Sequence, residues 1–113
     1  MRVRFQADAD LDGRVIRGLK RVTPEIDLRT AAEAELDDLE VLRIGSATGS
    51  ILISQDRRTM PGNFRRHIAS GTSPGVILLR PGISIADAID EIVIVWSASQ
   101  PAEWKNRLVW ISL

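Results

Sequence analysis

Two carboxylates stand where short strand-like segments end. Asp8 closes Val3-Arg4-Phe5-Gln6-Ala7-Asp8, and Asp56 closes Ile51-Leu52-Ile53-Ser54-Gln55-Asp56. In an open parallel sheet the carboxyl ends of the strands line the crevice where ligands bind. The chain has no Cys and one His, so two acids at that place suit a hard, oxygen-coordinated cation such as Mg²⁺ or Mn²⁺. Arg57 and Arg58 follow Asp56 directly. Carboxylates for a metal beside guanidinium groups for a phosphate suit cleavage of a phosphodiester.

Other chemistries find less support. One His and no Cys leave no Ser-His-Asp or Cys-His arrangement to build. Gly45-Ser46-Ala47-Thr48-Gly49-Ser50 lacks the Lys of a phosphate loop and precedes a strand rather than a helix. Zero Cys also excludes disulfides and thiolate metal sites, and fits a reducing cytoplasm. The segment Met1-Arg2-Val3-Arg4 has no apolar signal-peptide core, and the apolar run Ile92 to Trp96 is too short to span a bilayer.

With 15 basic and 15 acidic residues the net charge is zero, which argues against a surface that binds nucleic acid everywhere. The charge is nonetheless segregated. Arg57, Arg58, Arg65, Arg66 and His67 fall in an acid-free segment, whereas Glu25 to Glu40 holds seven acids and one Arg.

The elements that must position these groups alternate. A strand is predicted over residues 2–7 and a helix over 10–21, its apolar stripe being Leu11, Val15, Ile16 and Leu19. Gly13 and Gly18 weaken that helix and permit close packing on the sheet. Thr23-Pro24 breaks the chain before a short strand from Glu25 to Leu28. Thr30 to Glu33 reads as a capping box. A second helix is predicted from Asp38 to Thr48, capped by Asp37 or Asp38 and stopped by Gly49. Strands over Ile51–Ser54 and Val76–Leu79 enclose a helix with Pro61 in its first turn, running to Ala69. Ser84 opens the clearest helix, with the stripe Ile85, Ile89, Ile92, Val93 and Trp96. A helical turn over Ala102–Lys105 and a strand over Leu108–Ser112 end the series.

The order predicts one α/β domain over residues 1–113: a three-layer α/β/α sandwich with a mostly parallel sheet of four to five strands. Right-handed crossovers put helices on both faces. If the first and third strands are neighbours, Asp8 and Asp56 stand side by side. The alternation in Arg2-Val3-Arg4-Phe5-Gln6 leaves one face of the first strand covered by Arg stems.

Four segments in order resemble the short, stand-alone PIN-like nuclease domains, relatives of VapC-type toxins. They are Ala7-Asp8-Ala9-Asp10-Leu11, Asp37-Asp38-Leu39-Glu40-Val41-Leu42, Ser54-Gln55-Asp56-Arg57-Arg58-Thr59-Met60-Pro61 and Ser73-Pro74-Gly75-Val76-Ile77-Leu78-Leu79. The resemblance reaches the ending Glu103-Trp104-Lys105-Asn106-Arg107 and so covers essentially the whole chain. It implies a PIN-like fold and a Mg²⁺- or Mn²⁺-dependent ribonuclease, with RNA as substrate and a small antitoxin protein as partner. It carries Asp8, Asp38 and Asp56 over as catalytic metal ligands and Asp10 as an outer-shell ligand. Arg57 and Arg58 are then the phosphate holders. Two positions depart from the family: Ala9 stands for the usual Glu, and Arg58 for a second acid after the third strand. Both remove negative charge, leaving open a one-metal site or a degenerate fold that serves as a protein-interaction module.

The remaining candidates read as structural. Glu40 is a helix-terminus acid, Arg65 and Arg66 a solvated helix face, and His67 lacks a catalytic partner. Strand-end Ser54 bonds backbone, or touches the metal or a phosphate. Trp96, Trp104 and Trp110 serve core or subunit packing, as in a homo-oligomer, or stack on bases.

Overall fold

Apolar runs separated by amphipathic segments fold here as anticipated, into a parallel sheet covered on both faces. The structure is a computed structural model and describes residues 2–30 and 38–111, the side chains of residues 38–41 and 44 apart. The elements are β1 (Phe5–Ala7), α1 (Gly13–Val22), β2 (Leu28–Thr30), α2 (Asp38–Thr48), β3 (Ile51–Ser54), α3 (Met60–Ser70), β4 (Val76–Leu79), α4 (Ile85–Ala98), a 3₁₀ turn (Pro101–Glu103) and β5 (Leu108–Ile111). All five strands are parallel, in the order β2-β1-β3-β4-β5. The capping box expected at Thr30 to Glu33, the cap at Asp37 and the strand end at Ser112 lie wholly or partly outside the described residues.

Two apolar layers form. Phe5, Ala7, Ile51, Ile53, Ile77 and Leu79 pack with α1 and α4 on one face. Leu52, Val76 and Leu78 pack with Leu42, Met60 and Phe64 on the other, beneath α2 and α3. β3 and β4 are buried at every position, as their uninterrupted apolar sequences require. β1 is buried throughout as well. The polar face of β1, expected to be covered by Arg stems, is enclosed instead at Gln6, whose Nε2 donates to the carbonyl of Ala7 at 3.1 Å. Arg2 lies before the strand, stacked 3.9 Å over the Trp96 ring.

Several boundaries move for identifiable reasons. α1 begins at Gly13 rather than residue 10, because Asp12 caps it by accepting from the Arg14 N–H. β2 begins at Leu28 rather than Glu25, because Ile26 N–H bonds the Thr23 carbonyl in a turn that carries the chain past Pro24. The 3₁₀ turn precedes its expected place by one residue, with Pro101 at its first position. α2 ends where expected, at Gly49, whose φ of 69° is readily adopted by glycine.

The last crossover departs from the expected handedness. α1 steps from β1 to β2 on one face, and α2 and α3 step the opposite way on the other, so these three connections share a hand. α4 steps in the same direction as α3 but lies on the α1 face, so β4-α4-β5 has the opposite hand. Nearly all such crossovers are right-handed, which assigns the left hand to this one. Its apolar stripe closes on α1, where Gly18 admits Ile89: a Cβ at residue 18 would run into Ile89 Cδ1. Gly18 therefore serves helix–helix packing rather than packing on the sheet. Leu108 and Trp110 of β5 are left half-exposed at the edge of the α2/α3 face.

Candidate functional site

β1 and β3 are adjacent, so Asp8 and Asp56 leave the sheet side by side at its carboxyl edge. The chain turns from β1 to one neighbour and from β3 toward the other, making this seam the topological switch point of the sheet. In that strand order, the switch point is where a doubly wound sheet opens a crevice.

Ser54 joins the two acids. Its Oγ donates to Asp8 Oδ2 at 2.7 Å and accepts from the Asp56 N–H at 3.0 Å. Asp8 is buried, and its Oδ1 accepts from the Ala9 N–H at 2.8 Å. These two bonds orient the Asp8 carboxylate. Ser54 thus touches a carboxylate as well as backbone, where the sequence alone suggested backbone, a metal or a phosphate.

Asp56 is held differently. Oδ1 accepts from the backbone N–H of Arg58 at 3.0 Å and of Thr59 at 3.1 Å, and Oδ2 accepts from the Thr59 hydroxyl. It therefore fastens the loop that starts α3. Arg57 and Arg58 are exposed in that loop. Asp10 is exposed in the loop after β1, as is Ala9, the position where the PIN-like pattern has Glu.

Asp38 opens α2. That helix leads through Gly49 and Ser50 into the amino end of β3, so its first residue lies toward the carboxyl edge, the pole of Asp8 and Asp56. Its side chain lies outside the described residues. Among the described residues no three acid, His or Cys side chains converge on a metal position.

Sequence reasoning missed Asp12 and Gln55. Gln55 Oε1 accepts from the Asp12 N–H at 2.9 Å and ties the β1–α1 loop to the β3–α3 loop. Asp12 pairs with Arg14 at 2.7 Å. The Arg14 side chain and then its backbone N–H, both bonded to the Asp12 carboxylate, lower its pKa from 3.8 to about 2. An Asp immediately before a helix was the available signal for its capping role.

His67 takes a structural place. Its Nε2 lies 2.9 Å from Ser46 Oγ and 3.0 Å from the Thr72 carbonyl, to which Ser46 Oγ also comes within 3.1 Å. These contacts tie α3 to α2 and to the loop before β4, and none of the candidate acids is among them. Two clefts, of about 210 and 340 Å³, lie at the opposite pole of the sheet. Arg2, Arg4 and Gly49 line the first, and Ser46, Thr72 and Lys105 are among those lining the second; the candidate acids line neither.

Fold and site define a doubly wound α/β domain whose switch point holds two acids, with the Ser54 hydroxyl linking the Asp8 carboxylate to the Asp56 backbone N–H. No family model, curated protein or solved structure matches the chain. No helix among the described residues is long and apolar enough to cross a membrane.

Proposed function

We propose that this chain is a Mg²⁺- or Mn²⁺-dependent ribonuclease, the toxin half of a toxin–antitoxin pair. The supporting observation is the Asp8–Ser54–Asp56 chain at the switch point, with Arg57 and Arg58 exposed beside it. The all-oxygen donor set fits a hard cation. Asp8 and Asp56 would hold it, Asp38 would complete the shell, and Asp10 would hold a coordinated water. A bound ion supplies an activated water and neutralises phosphate charge. The residues do the rest. Ser54 fixes the Asp8 carboxylate, and the loop donors fix Asp56. Arg57 and Arg58 offer guanidinium forks to the phosphate of a single-stranded RNA. As the water oxygen bonds to phosphorus, the phosphorus–oxygen bond to one ribose breaks, and the proton that the water loses balances the one that the departing ribose oxygen takes up. The antitoxin partner and a cytoplasmic setting follow from the PIN-like resemblance and the cysteine-free composition.

A second reading has its own support. Asp56 spends both oxygens on its own loop, and Ala9 removes a family acid at an exposed position. That is how a degenerate nuclease fold acting as a protein-binding module would look.

Incubation of the protein with labelled single-stranded RNA and Mn²⁺ decides between them, with EDTA and Asp8→Asn as controls. Cleavage that disappears in both controls supports the nuclease. Identical traces in all three lanes, across several RNAs, favour the binding module.

A further inference from the structure

The left-handed last crossover puts α4 on the face opposite α2 and α3, and among the described residues Trp110 is half-exposed at the edge of the α2/α3 face. The rows of the sheet connect Trp110 to the candidate site. Ala7 pairs with Ile53, so Asp8 and Ser54 follow at one level; Ser54 pairs with Leu78, and Leu78 with Trp110. Side chains alternate along strands, and Leu52, Leu78 and Trp110 face the α2/α3 layer. The row Asp8, Ser54, Leu78, Trp110 therefore runs along one face. Three strand spacings separate its ends, about 14 Å.

Arg80 stands at the far end of this row. It follows β4, is exposed, and holds its guanidinium 5.1 Å from the centroid of the half-exposed Trp110 ring. Its backbone N–H bonds the Ile111 carbonyl at 3.0 Å, which fixes where the side chain departs. The stretch of chain that follows Asp56 carries charge of one sign. Residues 57–86 contain five Arg and no Asp or Glu, although the whole chain is neutral. Arg57 and Arg58 occupy the Asp56 end, Arg65 and Arg66 the exposed surface of α3, and Arg80 the β4–β5 end.

We infer that Arg80 and Trp110 form a nucleotide subsite for single-stranded RNA, two strands away from β3 along the same edge. A base stacks on the guanidinium plane that Trp110 supports, and Arg80 adds a donor for a neighbouring phosphate. The basic, acid-free segment that carries Arg57, Arg58 and Arg80 selects a polyanion, and the aromatic platform selects one with unpaired bases. This inference rests on the nuclease reading of the acidic end of the row.

The test measures binding apart from cleavage. Anisotropy of a labelled single-stranded oligouridylate in EDTA compares wild type with Arg80→Gln, Trp110→Phe and, as a control at the opposite pole, Lys105→Gln. Arg80 is exposed and Phe retains an apolar ring, so circular dichroism is expected to match wild type. The subsite predicts about tenfold weaker binding for Arg80→Gln. It also predicts a salt slope smaller by about 0.7. RNA quenches part of the tryptophan emission of wild type, and this quenching is lost in Trp110→Phe. Equal affinity and equal salt slope in wild type and Arg80→Gln overturn the subsite. Cleavage with Mn²⁺, run in parallel, separates the two readings. Intact cleavage with no effect of either variant on binding removes the subsite alone. Arg80-dependent binding without cleavage retains the subsite and removes the nuclease. Absence of any RNA binding by wild type overturns both and makes an acidic protein segment the expected partner of Arg80 and Trp110.

Discussion

Ser54 Oγ binds Asp8 Oδ2 at 2.7 Å across the seam between β1 and β3, although the residues are 46 positions apart in the chain. The same hydroxyl accepts the Asp56 N–H, so one fully buried side chain sets the spacing between the two acids. The arrangement serves folding and the proposed chemistry together. It satisfies a buried carboxylate, and it holds that carboxylate where a cation would meet it.

Replacing Ser54 by Ala is expected to destabilise the protein by about 1–3 kcal/mol, because it removes a donor from the buried Asp8 carboxyl and the acceptor of the Asp56 N–H. Urea denaturation measures this. In the proposed nuclease the same variant also weakens Mn²⁺ binding, which calorimetry reads at a temperature where both proteins are folded.

Asp56→Asn separates the loop-fastening role of Asp56 from its proposed metal role. Asn retains an oxygen acceptor for the N–H groups of Arg58 and Thr59 but sets an NH2 against the Thr59 hydroxyl, so stability is expected to fall by about 0.5–1.5 kcal/mol. Mn²⁺ affinity falls sharply if Asp56 is a ligand. Unchanged affinity in calorimetry assigns Asp56 to the loop alone.

Asp12 makes the β1–α1 loop acid-sensitive. Its folded pKa of about 2 lies below the ordinary 3.8, held there by Arg14. Folding therefore favours the ionised form, and the contribution is complete above the ordinary value and lost as pH falls from about 4 through 2. Asp12→Asn keeps the acceptor that caps α1 but removes this dependence. The stability gap between wild type and Asp12→Asn, measured in urea at pH 5 and again at pH 2, is expected to close at the lower pH. An NMR titration of the Asp12 carboxyl is expected to centre near 2.

Gly18 and Ile89 form a coupled pair between α1 and α4. Gly18→Ala gains about 1 kcal/mol of helix propensity but meets Ile89 Cδ1, and overpacking of this kind costs about 1–3 kcal/mol. The single variant is expected to be destabilised. Ile89→Val removes the obstructing methyl, so Gly18→Ala in that background becomes neutral or stabilising. A double-mutant cycle in urea is expected to give a coupling of about 0.5–3 kcal/mol; additive single effects would remove the proposed contact.

Local patterns in the sequence determined much of the fold. The bounds of α2, β3 and β4, the Ser84 cap of α4 and the stop at Gly49 all depend on apolar period, capping groups or glycine freedom within a few neighbouring residues. The parallel α/β class follows from the alternation of those elements, and with β1 beside β3 the acids Asp8 and Asp56 must share an edge. Tertiary contacts alone decided the remainder. The late start of β2 reflects the turn at Pro24, and the enclosure of Gln6 reflects the second helical layer. The hand of the last crossover goes with the packing of α4 on α1, where Ile89 sits against Gly18. The bonds of Ser54 and Gln55 join residues more than forty positions apart. Hydrophobic periodicity says which side of an element is buried, but not which distant element buries it, because that choice is made by shape and hydrogen-bond satisfaction in the packed chain.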